Sequence, residues 1–150
     1  MDDFGRHLYC ALKVARYIIA YETKKGRPIN NLRLQKLLYF VQAQFLVERN
    51  RPIFDASIEA WDVGPVIPEV FHTFKFYALS DIPPRDMEKD LDWIYPYDRE
   101  SVDMILEDCA KYSTAQLIRI SVEQLPWKKA RNTKDQNIKN EYIFEFFSQV

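Results

Sequence analysis

Several residue types that enzymes depend on are scarce in this chain of 150 residues, which has three glycines, two histidines and two cysteines. The glycines are scattered, so they cannot build a loop that cradles a phosphate, and neither GxSxG nor HExxH occurs. No apolar run approaches the roughly 20 residues that span a bilayer, and the first residues are acidic where a secretory signal is basic. We therefore expect a cytoplasmic protein without a membrane segment.

The histidines and cysteines give no convincing reactive site. Glu69 and His72 form a Glu-x-x-His pair on one predicted helix face, but a carboxylate-bridged di-metal site needs a second such pair, which the sequence lacks. His7 has no evident partner. Cys10 and Cys109 lie far apart in apolar helical patterns, so we predict two buried free thiols. We expect no catalytic residue, metal or cofactor; carboxylate pairs formed only in space are left open.

Charge is nearly balanced overall, with 21 Lys and Arg against 22 Asp and Glu, so a nucleic-acid partner is disfavoured. The balance hides a local excess. Residues 81–108 contain ten acidic and three basic side chains. This stretch is either a solvated loop and helix face or an acidic surface that attracts a basic partner. The short basic cluster at residues 128–134 is interpreted as solvated surface.

Apolar spacing predicts a mainly α-helical fold in one domain over residues 1–150, a compact bundle of about six helices. A first helix begins at Leu8. The second, from Asn31 to Arg49 with its N-cap at Asn30 or Asn31, is apolar on nearly all sides and should be central. A period of two between Ile53 and Val63 predicts a small β hairpin or sheet, which Gly64 and Pro65 would end.

The second half of the chain is predicted to contain the remaining helices. Pro68 suits the first turn of a helix, and residues 81–97 are interpreted as a surface connection. Asp98 is predicted to cap the next helix, and Ser113 with Gln116 forms a capping-box signature for the one after. Pro126 and Trp127 should end that helix, and a last amphipathic helix should run to Val150.

Three motifs in order resemble the centre of the Panacea domains, also known as SocA-like antitoxins and found among phage-associated proteins. They are LRLQKLLYF at residues 32–40, IEAWDVGPV at residues 58–66 and PEVFHTFK at residues 68–75. LKVARYII at residues 12–19 and LPWKKARN at residues 125–132 agree with the family's flanking segments. One departure is clear, because Ser121 and Val122 stand where the family often has a Thr-His pair.

The resemblance implies an antitoxin that binds a toxin encoded by an adjacent gene. Direct inhibition without catalysis is the leading hypothesis. A proteolytic adaptor and an enzyme that reverses the toxin's modification are the alternatives, and self-association is left open. The family motif supplies the residues that we expect to be structural: Leu34, Gln35, Lys36, Leu37, Leu38, Tyr39, Gly64, Pro65, Pro126 and Trp127.

The residues themselves suggest where a toxin would bind. Aromatic side chains rimmed by charge are typical of protein interfaces, and Trp93, Tyr95 and Tyr97 lie within the acidic stretch. We predict toxin contact at Asp90, Asp92, Trp93 and Tyr95. A second candidate is the segment with Trp61, Asp62 and Val66, although core packing is favoured for Trp61 and Trp127. Arg33, Gln35 and Lys36 are expected to form hydrogen bonds at the core edge or to a partner.

Overall fold

A computed structural model describes residues 9–149, apart from the side chain of Asp90, and shows a mainly helical protein. These residues form seven α-helices and one two-stranded sheet, which confirms the predicted fold class with one more helix than expected. The helices are α1 (Ala11–Lys24), α2 (Asn31–Arg49), α3 (Pro68–Phe74), α4 (Pro96–Cys109), α5 (Thr114–Val122), α6 (Leu125–Arg131) and α7 (Asn140–Phe147), and the strands are β1 (Glu59–Trp61) and β2 (Gly64–Val66).

Helix α2 is the centre of the fold, as its composition predicts. The side chain of Asn30 caps it by accepting a 2.9 Å hydrogen bond from the amide of Arg33, and Asn50 ends it in the left-handed conformation. Helices α1, α3, α4, α5 and α7 all pack against α2. Its buried apolar side chains therefore point in all directions: Leu34, Leu37, Leu38, Tyr39, Val41, Ala43, Phe45 and Leu46.

The β element is a hairpin shorter than predicted. Strands β1 and β2 are antiparallel, with Ala60 opposite Pro65. The prediction that Gly64 and Pro65 end the strand is wrong, because both lie within β2. The amide of Ala60 donates a 2.9 Å hydrogen bond to the carbonyl of Gln136 and not to β2, so Ala60 and Pro65 form a pair without ladder hydrogen bonds. Proline is tolerated at such a position because no amide is needed there.

Residues 81–97 are more than the predicted surface connection. Residues 88–92 form a 3₁₀ turn that packs along α1, and the side chains of Ile82, Met87 and Ile94 are buried. Helix α4 begins at Pro96 rather than after an Asp98 cap. Asp98 instead lies in the first turn, where its buried carboxylate binds two arginines. Apolar side chains spaced irregularly carry no periodic signal, so the sequence pattern does not reveal this packing.

Two other helix boundaries differ from the sequence prediction. Helix α1 begins at Ala11, and Leu8 lies outside the described residues. Pro126 and Trp127 do not end a helix but lie in the first turn of α6, since proline needs no helical hydrogen-bond acceptor at that position. The Ser113–Gln116 capping box and the helix beginning at Pro68 are confirmed. Helix α7 ends at Phe147, and Val150 is not among the described residues.

Candidate protein-binding surface

Polar side chains of α2 hold the hairpin and α3 in place. Oε1 of Gln35 accepts a 2.8 Å hydrogen bond from the amide of Ile67, and Nζ of Lys36 donates 2.7 Å to the carbonyl of Pro65. Arg33 donates 2.9 Å to the carbonyl of Cys109, joining α2 to the end of α4. All three side chains thus bond within the chain, as one of the two sequence interpretations expected. Burial lowers the pKa of Lys36 to about 7.

Gly64 leaves the space in which Lys36 lies. Its φ of +98° is a conformation that side chains disfavour. A Cβ at this position would come within 2.9 Å of both Cε of Lys36 and Oγ of Ser121. Ser121 is one of the two residues that depart from the family's Thr-His pair, and here its hydroxyl donates to the carbonyl of Ile118. The position therefore packs against the hairpin in this chain.

The second candidate interface, around Trp61, is largely occupied by contacts within the chain. The indole of Trp127 donates a 2.9 Å hydrogen bond to the carbonyl of Trp61, whose own ring packs edge-on against Phe71. Both tryptophans are half-buried, and Trp127 packs against the core, as expected for it. Val66 is completely buried in β2, which leaves it no surface to offer a partner. Asp62 is exposed but binds Arg131 at 2.8 Å.

Part of the acidic stretch faces inward, where basic and phenolic groups compensate it. The Asp98 carboxylate accepts hydrogen bonds from Tyr9, Arg49 and Arg51 at 2.6, 2.8 and 2.9 Å. Near the other end of α4, Glu107 is exposed but also paired: it binds Arg27 and Tyr21, which holds the pKa of the Glu107 carboxyl at about 2. These carboxylates join α4 to α1 and α2. They are therefore structural and contribute little to a surface that could attract a partner.

The outer part of the same stretch is exposed. Asp92 is exposed, and Trp93 and Tyr95 keep 51% and 68% of their surface accessible. The ammonium of Lys13 lies 4.7 Å from the Trp93 ring centroid, and the Tyr9 ring packs against Tyr95. The structure thus brings together three of the four predicted toxin-contact residues at the N-terminal end of α1. The side chain of the fourth, Asp90, lies outside the described part of the chain.

No group of three or more His, Cys, Asp and Glu side chains among residues 9–149 could hold a metal ion. His72 and Glu69 are both exposed on α3, and His7 is outside the described residues. The prediction of two buried thiols is half wrong: Cys109 is buried, but Cys10 is exposed because it precedes α1 rather than lying within it. No described helix is long and apolar enough to cross a membrane.

Sequence analysis missed the two most exposed large apolar side chains of the described chain. Phe76 and Leu79 are 88% and 78% exposed in the turn that follows α3. Helical spacing from Phe74 to Tyr77 suggests that this segment continues a buried helix face. The signal available in the sequence was the crowding of apolar residues in FKFYAL, which one helix face cannot bury.

Comparison with known proteins agrees with this arrangement of motifs. The chain matches the family described as "Antitoxin SocA-like, Panacea domain" over residues 34–128, and it belongs to that family. It is 35% identical over 138 residues to Antitoxin SocA of Caulobacter vibrioides (strain NA1000 / CB15N), in an alignment that covers 85% of this chain and 73% of the relative. No solved structure matches the chain.

Proposed function

We propose that this protein is the antitoxin of a bacterial or phage toxin–antitoxin pair and that it neutralises its toxin by direct binding, without catalysis. Membership of the SocA-like antitoxin family is the observation that carries the proposal. The toxin would be encoded by an adjacent gene, and the two proteins would meet in the cytoplasm.

The exposed aromatic residues beside exposed carboxylates support binding as the mode of action. Trp93 and Tyr95 have the exposure and the amphipathic rings that protein interfaces use as anchors. Asp90 and Asp92 both lie in the 3₁₀ turn of residues 88–92, which directly precedes Trp93. A toxin that acts on nucleotides or RNA would carry basic surface around its active site, so an acidic partner would both be attracted to that surface and exclude the substrate.

The carboxylates that remain exposed define the charge of this proposed interface. Asp86, Glu88, Asp92 and Glu100 all face solvent, whereas Asp98 is buried against arginines. Long-range attraction of a basic partner depends on these exposed carboxylates, because the buried carboxylate of Asp98 is already neutralised by its arginines. The acidic field is therefore concentrated around the residue 86–92 segment and the solvent face of α4.

Co-expression with the neighbouring toxin gene tests the proposal. We expect growth to be rescued and a stoichiometric complex to elute together in gel filtration. Rescue that depends on a cellular protease would indicate an adaptor instead. Loss of a toxin-made modification at substoichiometric amounts of this protein would indicate an enzyme. Absence of both rescue and complex would refute the proposal.

A further inference from the structure

The turn that joins α3 to the 81–97 segment presents an apolar tip to solvent. Phe76, within a 3₁₀ turn at Lys75–Tyr77, is 88% exposed, and Leu79, just after that turn, is 78% exposed. These values exceed those of Trp93 and Tyr95, and the two side chains lie three residues apart. Single exposed apolar residues are common on soluble proteins, but two large ones at one tip mark an interaction site.

The turn that carries this tip is well anchored. The amide of Ala78 donates 3.0 Å to the carbonyl of Lys75, and the amide of Ser80 donates 2.9 Å to that of Tyr77. Tyr77 is half-buried against the core and also contacts the Phe76 ring at 5.5 Å between centroids. Beyond the tip, the amide of Ile82 donates 2.8 Å to the carbonyl of Ile29. The main chain that carries the two apolar side chains is therefore held in place before any partner arrives.

Ala78 has a backbone conformation that disfavours a side chain. Its φ of 52° and ψ of −121° correspond to the first central residue of a type II′ turn, where glycine is usual. Such a conformation is strained in a non-glycine residue. The strained turn thus lies between two exposed apolar side chains, Phe76 and Leu79.

Charge on either side of the tip indicates what it would meet. Lys75 precedes the apolar pair and Asp81 follows it, and both are exposed without an ion pair among the described residues. An apolar centre with charges at its edge has the composition of a small protein interface. A protruding tip of this kind fits a concave apolar pocket whose rim carries an acidic group opposite Lys75 and a basic group opposite Asp81.

We propose that Phe76 and Leu79 insert into such a pocket on the toxin. This inference rests on the proposed function and adds a second contact to it. The tip lies beside Ile29, beyond the C-terminal end of α1, whereas Trp93 lies beside Lys13 near the N-terminal end. An α-helix of 14 residues is roughly 20 Å long. One partner of ordinary interface size can cover both ends.

Serine substitutions at the tip test the inference against a matched control. Phe76→Ser and Leu79→Ser should each raise the Kd for the toxin about 30-fold or more, as interface anchors do. Leu125→Ser removes another exposed leucine, 57% accessible at the start of α6, and should leave the Kd unchanged. Circular dichroism melts should be unaffected in all three variants, because none of these side chains is buried.

The two proposals fail in distinguishable ways. If the unaltered protein binds the toxin and the Phe76→Ser/Leu79→Ser double variant binds equally well, the tip is not a contact and only this inference is overturned. A loss of affinity equal to that caused by Leu125→Ser overturns it too. If the unaltered protein does not bind the toxin at all, the proposed function and this inference fall together. Slower association of Lys75→Glu would support the predicted acidic group on the pocket rim.

Discussion

The amine of Lys36 donates a hydrogen bond of 2.7 Å to the main-chain carbonyl of Pro65, joining the N-terminal half of the central helix to the second strand of the hairpin. Lys36 is fully buried, and burial lowers its pKa to about 7. A long side chain can fill this position because Gly64, beside Pro65, has no Cβ to block it. The family motifs at residues 32–40 and 58–66 therefore meet at one buried contact.

This contact should make stability depend on pH in a characteristic way. Between pH 7 and 9 the unfolded chain keeps the Lys36 proton, since the ordinary lysine pKa is 10.5, while the folded chain progressively loses it. The free energy of unfolding should therefore rise with pH relative to Lys36→Met, by up to about 1.4 kcal/mol per pH unit. Below about pH 6, where Lys36 is protonated in both the folded and the unfolded chain, the difference should be constant. Urea unfolding at pH 6, 7, 8 and 9 measures it, and parallel curves for the two proteins would contradict the assignment.

Gly64→Ala should destabilise the protein by on the order of 3 kcal/mol, through backbone strain and crowding together. Gly26→Ala is the matched control, because Gly26 also has a positive φ of 76° but nothing within 4 Å of the added Cβ. It should cost roughly 1 kcal/mol. Adding Ser121→Ala to Gly64→Ala removes Oγ of Ser121, one of the two atoms close to the added Cβ. The double variant should therefore recover part of the lost stability. Thermal melts of the parent and these three variants test this, and equal costs for Gly26→Ala and Gly64→Ala would show that crowding plays no part.

Helices with regularly spaced apolar residues are the part of the fold that the sequence predicts well. Helix α2 was predicted with its cap and its central position, because nineteen residues with apolar side chains all round cannot lie at a surface. Asp98 was misjudged because a carboxylate before an apolar run has the appearance of a cap. Its true partners, Arg49 and Arg51, lie nearly 50 residues away, and pairs brought together only by folding leave no local pattern.

The candidate surface was predictable only in part, for the same reason. The crowding of Trp93, Tyr95 and acidic residues is visible in the sequence, and the structure leaves these aromatic rings exposed. Periodicity cannot show which of the ten carboxylates in residues 81–108 turn inward. Nor does it show that Phe76 and Leu79 face solvent on either side of a strained turn at Ala78, since helical spacing favours a buried face.

Asp98→Asn should cost about 3 kcal/mol or more of stability, because it leaves Arg49 and Arg51 without their shared buried carboxylate. Asp92→Asn is the control. Asp92 is 91% exposed and lies 3.5 Å from Arg99, and exposed ion pairs contribute little. Its effect should stay within about 0.5 kcal/mol. Chemical denaturation at neutral pH compares the two, and similar values would show that the Asp98 cluster is not structural.

Leu38→Ala should destabilise the fold by on the order of 2–5 kcal/mol, through lost burial and the cavity left behind. Leu38 is completely buried in α2, where the other helices meet. Leu125→Ala, at an exposed leucine of α6, should be close to neutral. Thermal unfolding followed by circular dichroism is the measurement. A near-unchanged melting temperature of Leu38→Ala would place α2 at the periphery rather than at the centre.

Trp93→Ala should weaken toxin binding mainly by speeding dissociation, because an anchor ring contributes to the formed complex more than to encounter. Reversing charge with Asp90→Lys and Asp92→Lys should instead slow association and reduce its dependence on salt. Asp55→Lys, an exposed position between α2 and β1, controls for net charge. Association and dissociation rates at several salt concentrations separate these effects.

Trp93 is half exposed, so its loss should leave the melting temperature nearly unchanged. If the folded Trp93 and Asp92 variants neutralise the toxin as well as the parent does, the interface lies elsewhere, and the exposed face around Trp61 and Asp62 becomes the next region to test.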